Sequence, residues 1–308
     1  MKYRIMKLLV SLSLGIFFLC GSVYAEAGTS AAEFLKIPVG ARAAALGNAF
    51  SGLSNDSSAI FWNVSGLSSV SWKEVSASYN SLYDNISLGN LSCSIPLGKK
   101  ISAGIGVVYL NSGTIDKRGE TKEKLGTYSV QDAAVSIGIG AGITKKLSLG
   151  GTVKFVQEKI DTESGTGFAA DAAFMYLAHI MDMPVNLGVS VMNIGGTMGP
   201  GEESDMPFLI RAGASSKIFN EKIILCAAAD IPKDADTTAG VGAEYYFSDI
   251  FTLRCGYRLF LEDLSGLEPV TLGFGIIYTE SNDYMLDYSF AGAGDFGLVH
   301  RISIGIRM

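Results

Sequence analysis

The sequence has 308 residues, 37 of them glycine, and a formal net charge of −6. Its mean hydropathy of +0.31 is high for a soluble protein. Yet beyond residue 25 no uncharged apolar run reaches the roughly 18 residues of a membrane-spanning helix. This combination is typical of alternating strands that expose every second side chain to lipid. The acidic balance argues against nucleic acid as a partner.

Residues 1–25 are predicted to be a secretory signal peptide. Three basic residues precede an apolar core, Leu8–Cys20, and a small-residue cleavage site, Val23–Ala25. Because this segment carries three positive charges and no negative ones, its removal changes the net charge from −6 to −9. The signal predicts export into an envelope compartment.

Residues 26–70 show no strand periodicity, and we name this predicted segment the hatch. Ser30–Glu33 has capping-box spacing for a short helix. The alanine-rich stretch Gly40–Phe50 predicts a second helix, and Ala59–Trp62 a third helical turn. We hypothesise that the hatch plugs the inside of a barrel. The alternative is a periplasmic cap over the barrel mouth.

Residues 71–308 are predicted to form an all-β domain, a transmembrane antiparallel β-barrel of about 14 strands. The sequence alternates apolar with small or polar residues, as strands with one lipid face and one inner face do. The second strand changes phase at Gly89-Asn90, which we interpret as a bulge. The predicted strands are approximately 72–83, 86–95, 100–110, 128–142, 147–157, 168–178, 184–193, 207–217, 222–231, 237–247, 251–259, 268–278, 284–290 and 300–308.

The connections between these strands alternate in length. Long external loops and short periplasmic turns are typical of outer-membrane barrels, so the predicted location is the outer membrane, with its lipid as the surrounding solvent. The predicted long links are 111–127, 158–167, 194–206, 260–267 and 291–299, and the short ones include 96–99, 143–146, 179–183, 218–221 and 248–250.

The inward face is dominated by glycine, serine, threonine and alanine near mid-strand. Small side chains on the inner face leave space in which another segment of backbone can approach the strands closely. The few charges on this face can be paired by hairpin symmetry, which favours strand register modestly. Three predicted lumen pairs result: Glu244 with Arg254, Lys154 with Asp171, and Glu74 with Arg307.

The sequence contains no convincing motif for catalysis, metal binding or cofactor binding. The partial matches lie in segments whose predicted structure does not suit the motif. Residues 292–297 match G-x-G-x-x-G but open no helix, so no dinucleotide cofactor is predicted. Three cysteines remain after the signal peptide without a C-x-x-C, and the aspartates within 230–236 are interpreted as a solvated loop rather than a calcium site. His300 near Asp295 is the nearest approach to a catalytic pair. We predict no catalytic residue, no metal, no cofactor and no enzymatic activity.

The hatch also contains spaced motifs: AGTSAAEFLKIPVGAR at 27–42, LGNAF at 46–50, and AIFWN at 59–63 followed by Gly66-Leu67. Their order and spacing resemble the opening of the PorV/PorQ family of outer-membrane proteins. That family is similar to FadL-type transporters, which implies a fourteen-stranded barrel with an N-terminal hatch. Two departures are a missing proline after Asn63 and a final Met308 where barrels commonly end in an aromatic residue. The motif residues are Phe34, Leu35, Gly40, Arg42, Gly47, Phe50, Phe61, Trp62, Asn63, Gly66 and Leu67.

The resemblance implies two functions. The first, which we expect, is support of protein secretion and surface delivery of the type IX kind, with secretion-machinery or cargo proteins binding external loops Asp116–Lys124 and Gly195–Asp205. The alternative is a FadL-like channel for a hydrophobic small molecule. It predicts a pocket beside the hatch aromatics. The interpretation that we favour for these aromatics is that they only anchor the hatch. Those aromatics are Phe34, Phe50, Phe61 and Trp62.

Overall fold

The computed structural model describes residues 30–82, 85–180, 183–260, 269–292 and 297–308. The predicted signal peptide therefore lies outside the described residues, as does Asp295 in the predicted glycine-rich loop. Among the described residues, no helix is both long and apolar enough to cross a membrane.

The hatch, described from Ser30, contains short helices separated by turns. The predicted capping box does not form, because Ala32 precedes the first helix in a left-handed conformation (φ 51°) without a side-chain cap. The predicted helix over Gly40–Phe50 is shorter than expected, since the chain turns at Gly47 (φ 62°). The helices are the 3-10 helix Glu33–Lys36, the α-helices Ala41–Ala45 and Ala59–Trp62, and the 3-10 helix Val64–Ser69.

Eighteen strands follow within the described part of the chain, and fourteen of them close into one barrel. They are β1 (Glu74–Ser81), β2 (Ser87–Gly98), β3 (Ile101–Asn111), β4 (Ile115–Arg118), β5 (Lys124–Tyr128), β6 (Val130–Gly142), β7 (Leu147–Ile160), β8 (Glu163–Ile180), β9 (Met183–Gly195), β10 (Thr197–Met198), β11 (Ser204–Asp205), β12 (Leu209–Ile218), β13 (Ile223–Pro232), β14 (Thr238–Tyr246), β15 (Phe251–Phe260), β16 (Val270–Thr279), β17 (Asp283–Gly292) and β18 (Leu298–Arg307).

The barrel strands pair antiparallel with their neighbours in chain order, and β1 closes the ring on β18. The remaining strands form two hairpins within connections: β4 with β5, and β10 with β11. We call the end where Lys73 pairs with Met308 the terminal end, and the opposite end, which carries both hairpins, the loop end. The predicted closed antiparallel barrel of 14 strands is confirmed.

Two local predictions are wrong. β7 and β8 continue to a two-residue turn at Asp161 and Thr162, so 158–167 is not a long link. Asp161 adopts the left-handed conformation (φ 56°) that such a tight turn requires. The irregularity in β2 lies between Pro96 and Gly98, not at Gly89-Asn90. Near Gly89 the register is continuous, and Leu88 is an apolar residue that faces inward.

The two faces of the wall differ as the alternation predicts. In β3, Ile101, Ile105 and Tyr109 are exposed on the outside, whereas Ser102 is buried inside. The same division holds in β15, where Leu253, Tyr257 and Leu259 face out and Thr252 and Arg254 face in. A belt of exposed apolar side chains therefore surrounds a lumen lined mainly by small and polar residues, with larger apolar ones such as Leu88 near the loop end.

Candidate functional site

The hatch lies inside the closed ring of strands. Its helix Ala41–Ala45 packs against β15, β16, β17 and β18, whereas Val64–Ser69 packs against β3, β6, β7 and β8 on the other side of the ring. A cap over one mouth would not contact the inner face of so many strands. The segment therefore occupies the lumen, and the cavities beside it are the candidate functional space.

Glycines on the inner wall allow the hatch backbone to approach closely. A Cβ atom at Gly240 would lie 2.0 Å from the carbonyl oxygen of Gly47, and one at Gly256 would lie 2.1 Å from the Gly47 nitrogen. Further round the ring, on β9, a Cβ at Gly188 would lie 2.3 Å from the carbonyl oxygen of Ser51. These positions explain the small residues of the inward face, because any side chain there would displace the hatch.

Substituting Gly240→Val is therefore expected to prevent the hatch from seating. The new side chain meets backbone rather than a movable side chain, so the cost should exceed the about 1–3 kcal/mol typical of overpacking. Limited proteolysis should cleave the hatch in this variant and spare it in the wild type. Gly126→Val in β5 is the matched control, since nothing lies within 4 Å of its Cβ position. Equal protection in all three proteins would contradict the expectation.

Arg42 holds the hatch to the wall through a buried charge network. Its Nε and Nη2 donate to the two carboxylate oxygens of Glu244, each at 2.9 Å, and Nη1 donates to Asn55 and Asp56, each at 2.8 Å. The guanidinium also lies 5.3 Å from the centre of the Phe50 ring. Burial alone would lower the pKa of Arg42, but Glu244 and Asp56 raise it well above its ordinary range. The residue is therefore a permanent cation that needs these anions.

The predicted lumen charges lie as follows. Glu244 stands opposite Arg254 in the register and accepts a hydrogen bond from its Nε at 2.6 Å. Glu74 stands opposite Arg307 at the terminal end, with 2.8 Å between Arg307 Nε and Oε2. Arg254 also binds Asp287. The first pair is joined to the hatch by Arg42, and Ser57 of the hatch donates to Glu74.

The third pair differs from its prediction in register. Lys154 lies opposite Ala169, not Asp171, because the β7–β8 turn is displaced from the assumed centre. The ammonium still reaches Asp171 diagonally at 2.9 Å and donates to Asn193 at 2.7 Å. Asn193 sits in a β9 bulge with a left-handed backbone (φ 57°) and donates to the carbonyl of Pro207. The pair therefore stabilises the bulge between β8 and β9 rather than the regular pairing of β7 with β8.

Residues 30–39 of the hatch, which we call the strap, lie at the loop end. The Ala31 N–H donates to the carbonyl of Asp205, and the Ala32 N–H donates to Glu158 at 2.8 Å. Lys36 bridges Glu33 and Asp234. Burial raises the pKa of Glu33, whereas hydrogen bonds from Lys36 and Ser30 outweigh burial and lower the pKa of Asp234. The strap is therefore held by contacts with the loop-end connections.

An apolar pocket lies beneath the strap. It is a cavity of about 30 Å³ between the strap, the helix Ala59–Trp62 and the inner wall. Phe34 is almost fully buried in the adjoining apolar cluster, which includes Leu88, Val108 and Val156. The pocket is lined by Phe34, Leu35, Ile37, Pro38, Val39, Phe61, Trp62, Val108, Ala134, Ser136, Lys154, Met192 and Arg211.

A second cavity, of about 120 Å³, lies on the other side of the hatch and is polar. Charged groups of both signs line it, among them Arg42, Asp56, Glu74 and Asp287. It has room for several water molecules at roughly 10–15 Å³ each. The lumen therefore offers an apolar space under the strap and a hydrated space beside Arg42.

The motif residues fall into groups with different surroundings. Phe34, Phe61 and Trp62 meet at the apolar pocket, where Arg211 stacks 4.4 Å from the Trp62 ring. Phe50 does not line this pocket; it packs edge-on against Trp62 from the other side.

The other motif residues shape the hatch itself. Asn63 caps the last helix by accepting from the Ser65 N–H, and a Cβ at Gly66 would lie 1.9 Å from the carbonyl oxygen of Ser54. Gly40 precedes the helix Ala41–Ala45 with φ 84°. Leu67 is fully buried beneath Gly104, and Leu35 lines the pocket.

Sequence reasoning missed the wall side of the pocket. Val108, Ala134 and Met192 face inward, and so do Leu88 and Leu110 nearby. The available signal was an apolar residue on the inward parity near the loop end of several strands. At Leu88 this signal is the apparent change of phase near Gly89, because an apolar residue stands on the inner face.

Comparison of the sequence with protein-family models and with curated proteins finds no match. The fold is similar to several solved structures. The toluene transporter TodX of Pseudomonas putida aligns with TM-score 0.63 and 15% identity over 93% of this chain and 99% of that chain. The toluene transporter TbuX of Ralstonia pickettii aligns with TM-score 0.63 and 13% identity over 87% and 97%. A Pseudomonas aeruginosa FadL homologue aligns with TM-score 0.60 and 12% identity over 93% and 99%.

At these identities the similarity establishes the shared fold alone. TodX and TbuX are named as toluene transporters, and none of the three is named as a secretion protein. The PorV/PorQ resemblance of the hatch stays a prediction.

Proposed function

We propose that this chain is a non-enzymatic outer-membrane channel for hydrophobic small molecules, closed in the present structure by its hatch. The observation that carries the proposal is the apolar pocket under the strap, inside a lumen that also holds a larger polar cavity. The exposed apolar belt supports a lipid surrounding, and the toluene transporters that share the fold support the transport class.

The pocket must enlarge to hold a ligand. Its volume of about 30 Å³ has room for about two to three water molecules, far less than a hydrocarbon needs. Phe34 occupies the apolar space that an incoming hydrocarbon would take. Transport therefore requires the strap to move, and the contacts of Ala32 and Lys36 at the loop end oppose this movement.

Binding can be followed with the protein's own fluorescence. The chain has two tryptophans; Trp62 lines the pocket, and Trp72 lies against Arg307 at the terminal end. In a Trp72→Phe variant, titration with butylbenzene should change the emission of Trp62 saturably. Butanol, of similar chain length but polar, should not. No saturable change with butylbenzene would count against the proposed function.

Substituting Phe34→Ala is expected to strengthen binding of the same hydrocarbon. Removing a buried Phe ring typically costs about 3–5 kcal/mol when the cavity stays empty. An apolar ligand that fills this cavity recovers part of that energy. The Trp62 titration should therefore give a lower Kd, with greater thermal stabilisation by ligand than in the wild type. Phe247→Ala, on the exposed outer face, is the control and should change neither. Weaker binding by Phe34→Ala would contradict the occupied-pocket interpretation.

The secretion role implied by the PorV/PorQ resemblance would use the loop-end surface at Asp116–Lys124 and Gly195–Asp205. The first range covers most of β4 and the turn that leads to β5, and the second contains the β10–β11 hairpin. TodX and TbuX, which share this fold, are toluene transporters, and the pocket under the strap is apolar, so hydrophobic transport is the function that we put forward.

A further inference from the structure

Two carboxylates face each other inside the barrel at the loop end. Asp132 of β6 and Glu158 of β7 are directly opposite in the antiparallel register. Asp132 is only 6% exposed. Side chains at such positions have Cβ atoms about 4.5–5.5 Å apart, so two negative charges there repel each other strongly in an apolar setting.

Asp132 differs from the other buried carboxylates of the described residues. Each of the others has an Arg or Lys nitrogen within 2.9 Å, whereas Asp132 forms no ion pair. One of its oxygens, Oδ1, is buried without any hydrogen-bond partner. The five paired carboxylates are Asp56, Glu74, Asp171, Asp234 and Glu244.

Glu158 does not supply the positive charge that Asp132 lacks. It accepts the Ala32 N–H of the strap at 2.8 Å, which suits a charged carboxylate. It has no ion pair with any described side chain. A buried carboxylate without a cation beside it is costly, and the unpaired Oδ1 of Asp132 marks the place where a donor is missing.

The surroundings indicate what kind of cation fits. Leu110 stands opposite Asp132 on β3, and Ala134, two residues along β6 and therefore about 7 Å away, lines the apolar pocket. A calcium ion would need 6–8 oxygen ligands, and the described residues hold no group of three or more metal-ligating side chains. An ammonium group has three donors and suits two carboxylates.

We propose that Asp132 and Glu158 bind the ammonium group of a hydrophobic amine whose apolar body lies in the pocket closed by Phe34. This inference rests on the proposed transport of hydrophobic molecules and narrows its substrate class. The positive charges elsewhere in the pocket do not oppose it, because Lys154 is paired with Asp171 and Arg211 with Asp230.

The test compares 4-phenylbutylamine with butylbenzene, which has the same apolar body without the ammonium group. Both are titrated against the purified full chain carrying Trp72→Phe, with Trp62 emission as the readout. The amine should bind about tenfold more tightly or better, the difference expected from one charge-assisted hydrogen bond. The double variant Asp132→Asn, Glu158→Gln removes both charges, and the amide oxygen at position 158 can still accept the Ala32 N–H of the strap. It should therefore lose this preference and keep its affinity for butylbenzene.

The control variant is Asp116→Asn, which removes an exposed carboxylate of the β4–β5 hairpin and should leave the preference unchanged. Both substitutions in the double variant preserve volume, and its unchanged butylbenzene affinity shows that the pocket has folded. Equal affinity of the wild type for amine and hydrocarbon overturns the inference, and so does a preference that survives in the double variant. A third outcome would also overturn the inference: millimolar Ca²⁺ displaces the amine from the wild type but not from a protein that lacks Asp132. The site would then bind an inorganic cation. If neither organic compound binds, the proposed function fails with it.

Discussion

Deleting residues 30–70 is expected to convert a nearly closed barrel into an open pore. The fourteen strands form a complete ring of hydrogen bonds without the hatch, and the hatch contacts opposite walls of that ring. Barrels of sixteen strands leave an aqueous channel and those of eight fill their own interior, so an emptied ring of fourteen should conduct. Single-channel recording in planar bilayers should show a large, steady conductance that the full chain lacks.

The ring must be shown to be intact before conductance is compared. Heat-dependent migration in a detergent gel reports a folded barrel, and only protein that passes this test is recorded. A shortened loop between β3 and β6 that removes the β4–β5 hairpin is the matched control, because this hairpin belongs to a connection outside the ring. A deletion variant that folds and conducts no more than the full chain would contradict the plug interpretation.

The barrel was predictable because lipid and lumen impose opposite demands on successive residues. In β18, Ile302 and Ile304 are exposed on the outside, and Ser303 is buried inside. This alternation is visible in the sequence itself, because successive side chains of a strand point to opposite faces. The alternation weakens where the inner face becomes apolar. Leu88 contacts a cluster that contains Phe34, 54 positions earlier in the chain, and strand periodicity alone cannot report such a contact.

Register was harder to predict than strand content, since it depends on turn geometry. The turn before β15 centres on Asp249, and Glu244 meets Arg254 as symmetry requires. The turn at Asp161 is tighter than assumed, so the partner of Lys154 is Ala169. A long, flexible side chain still allowed the ion pair with Asp171 to form.

The hatch side of the candidate site could be named from its motifs, but its wall side could not. Motif spacing indicated Phe34, Phe61 and Trp62, which the structure brings to one pocket. The motifs also indicated Arg42. They could not predict its four hydrogen bonds to Glu244, Asn55 and Asp56. Such contacts join elements up to 202 positions apart, and only the closed ring brings them together.

Substituting Glu244→Gln is expected to loosen the hatch without removing it. Glu244 is fully buried and accepts from Arg42, Arg254 and Tyr246 at once. The amide keeps the volume but removes the negative charge that lies between Arg42 and Arg254. The two guanidiniums then repel each other without a carboxylate between them. Breaking a buried ion pair by removing one partner typically costs about 3–5 kcal/mol. The remaining contacts of Arg42 with Asp56 and of Arg254 with Asp287 should keep the barrel folded.

The expected signature of Glu244→Gln is intermittent conductance: brief openings in bilayer recordings, together with faster protease cleavage of the hatch. Glu221→Gln removes a carboxylate from an exposed pair with Lys217 and serves as the control, because exposed pairs contribute little and this one does not touch the hatch. The same two measurements on Arg254→Gln should give an effect of the same sign, since that substitution leaves Glu244 with one cation instead of two. If Glu244→Gln is as closed and as protected as the control, Arg42 does not hold the hatch through this carboxylate. The strap contacts at the loop end, Ala32 with Glu158 and Lys36 with Asp234, would then have to do so.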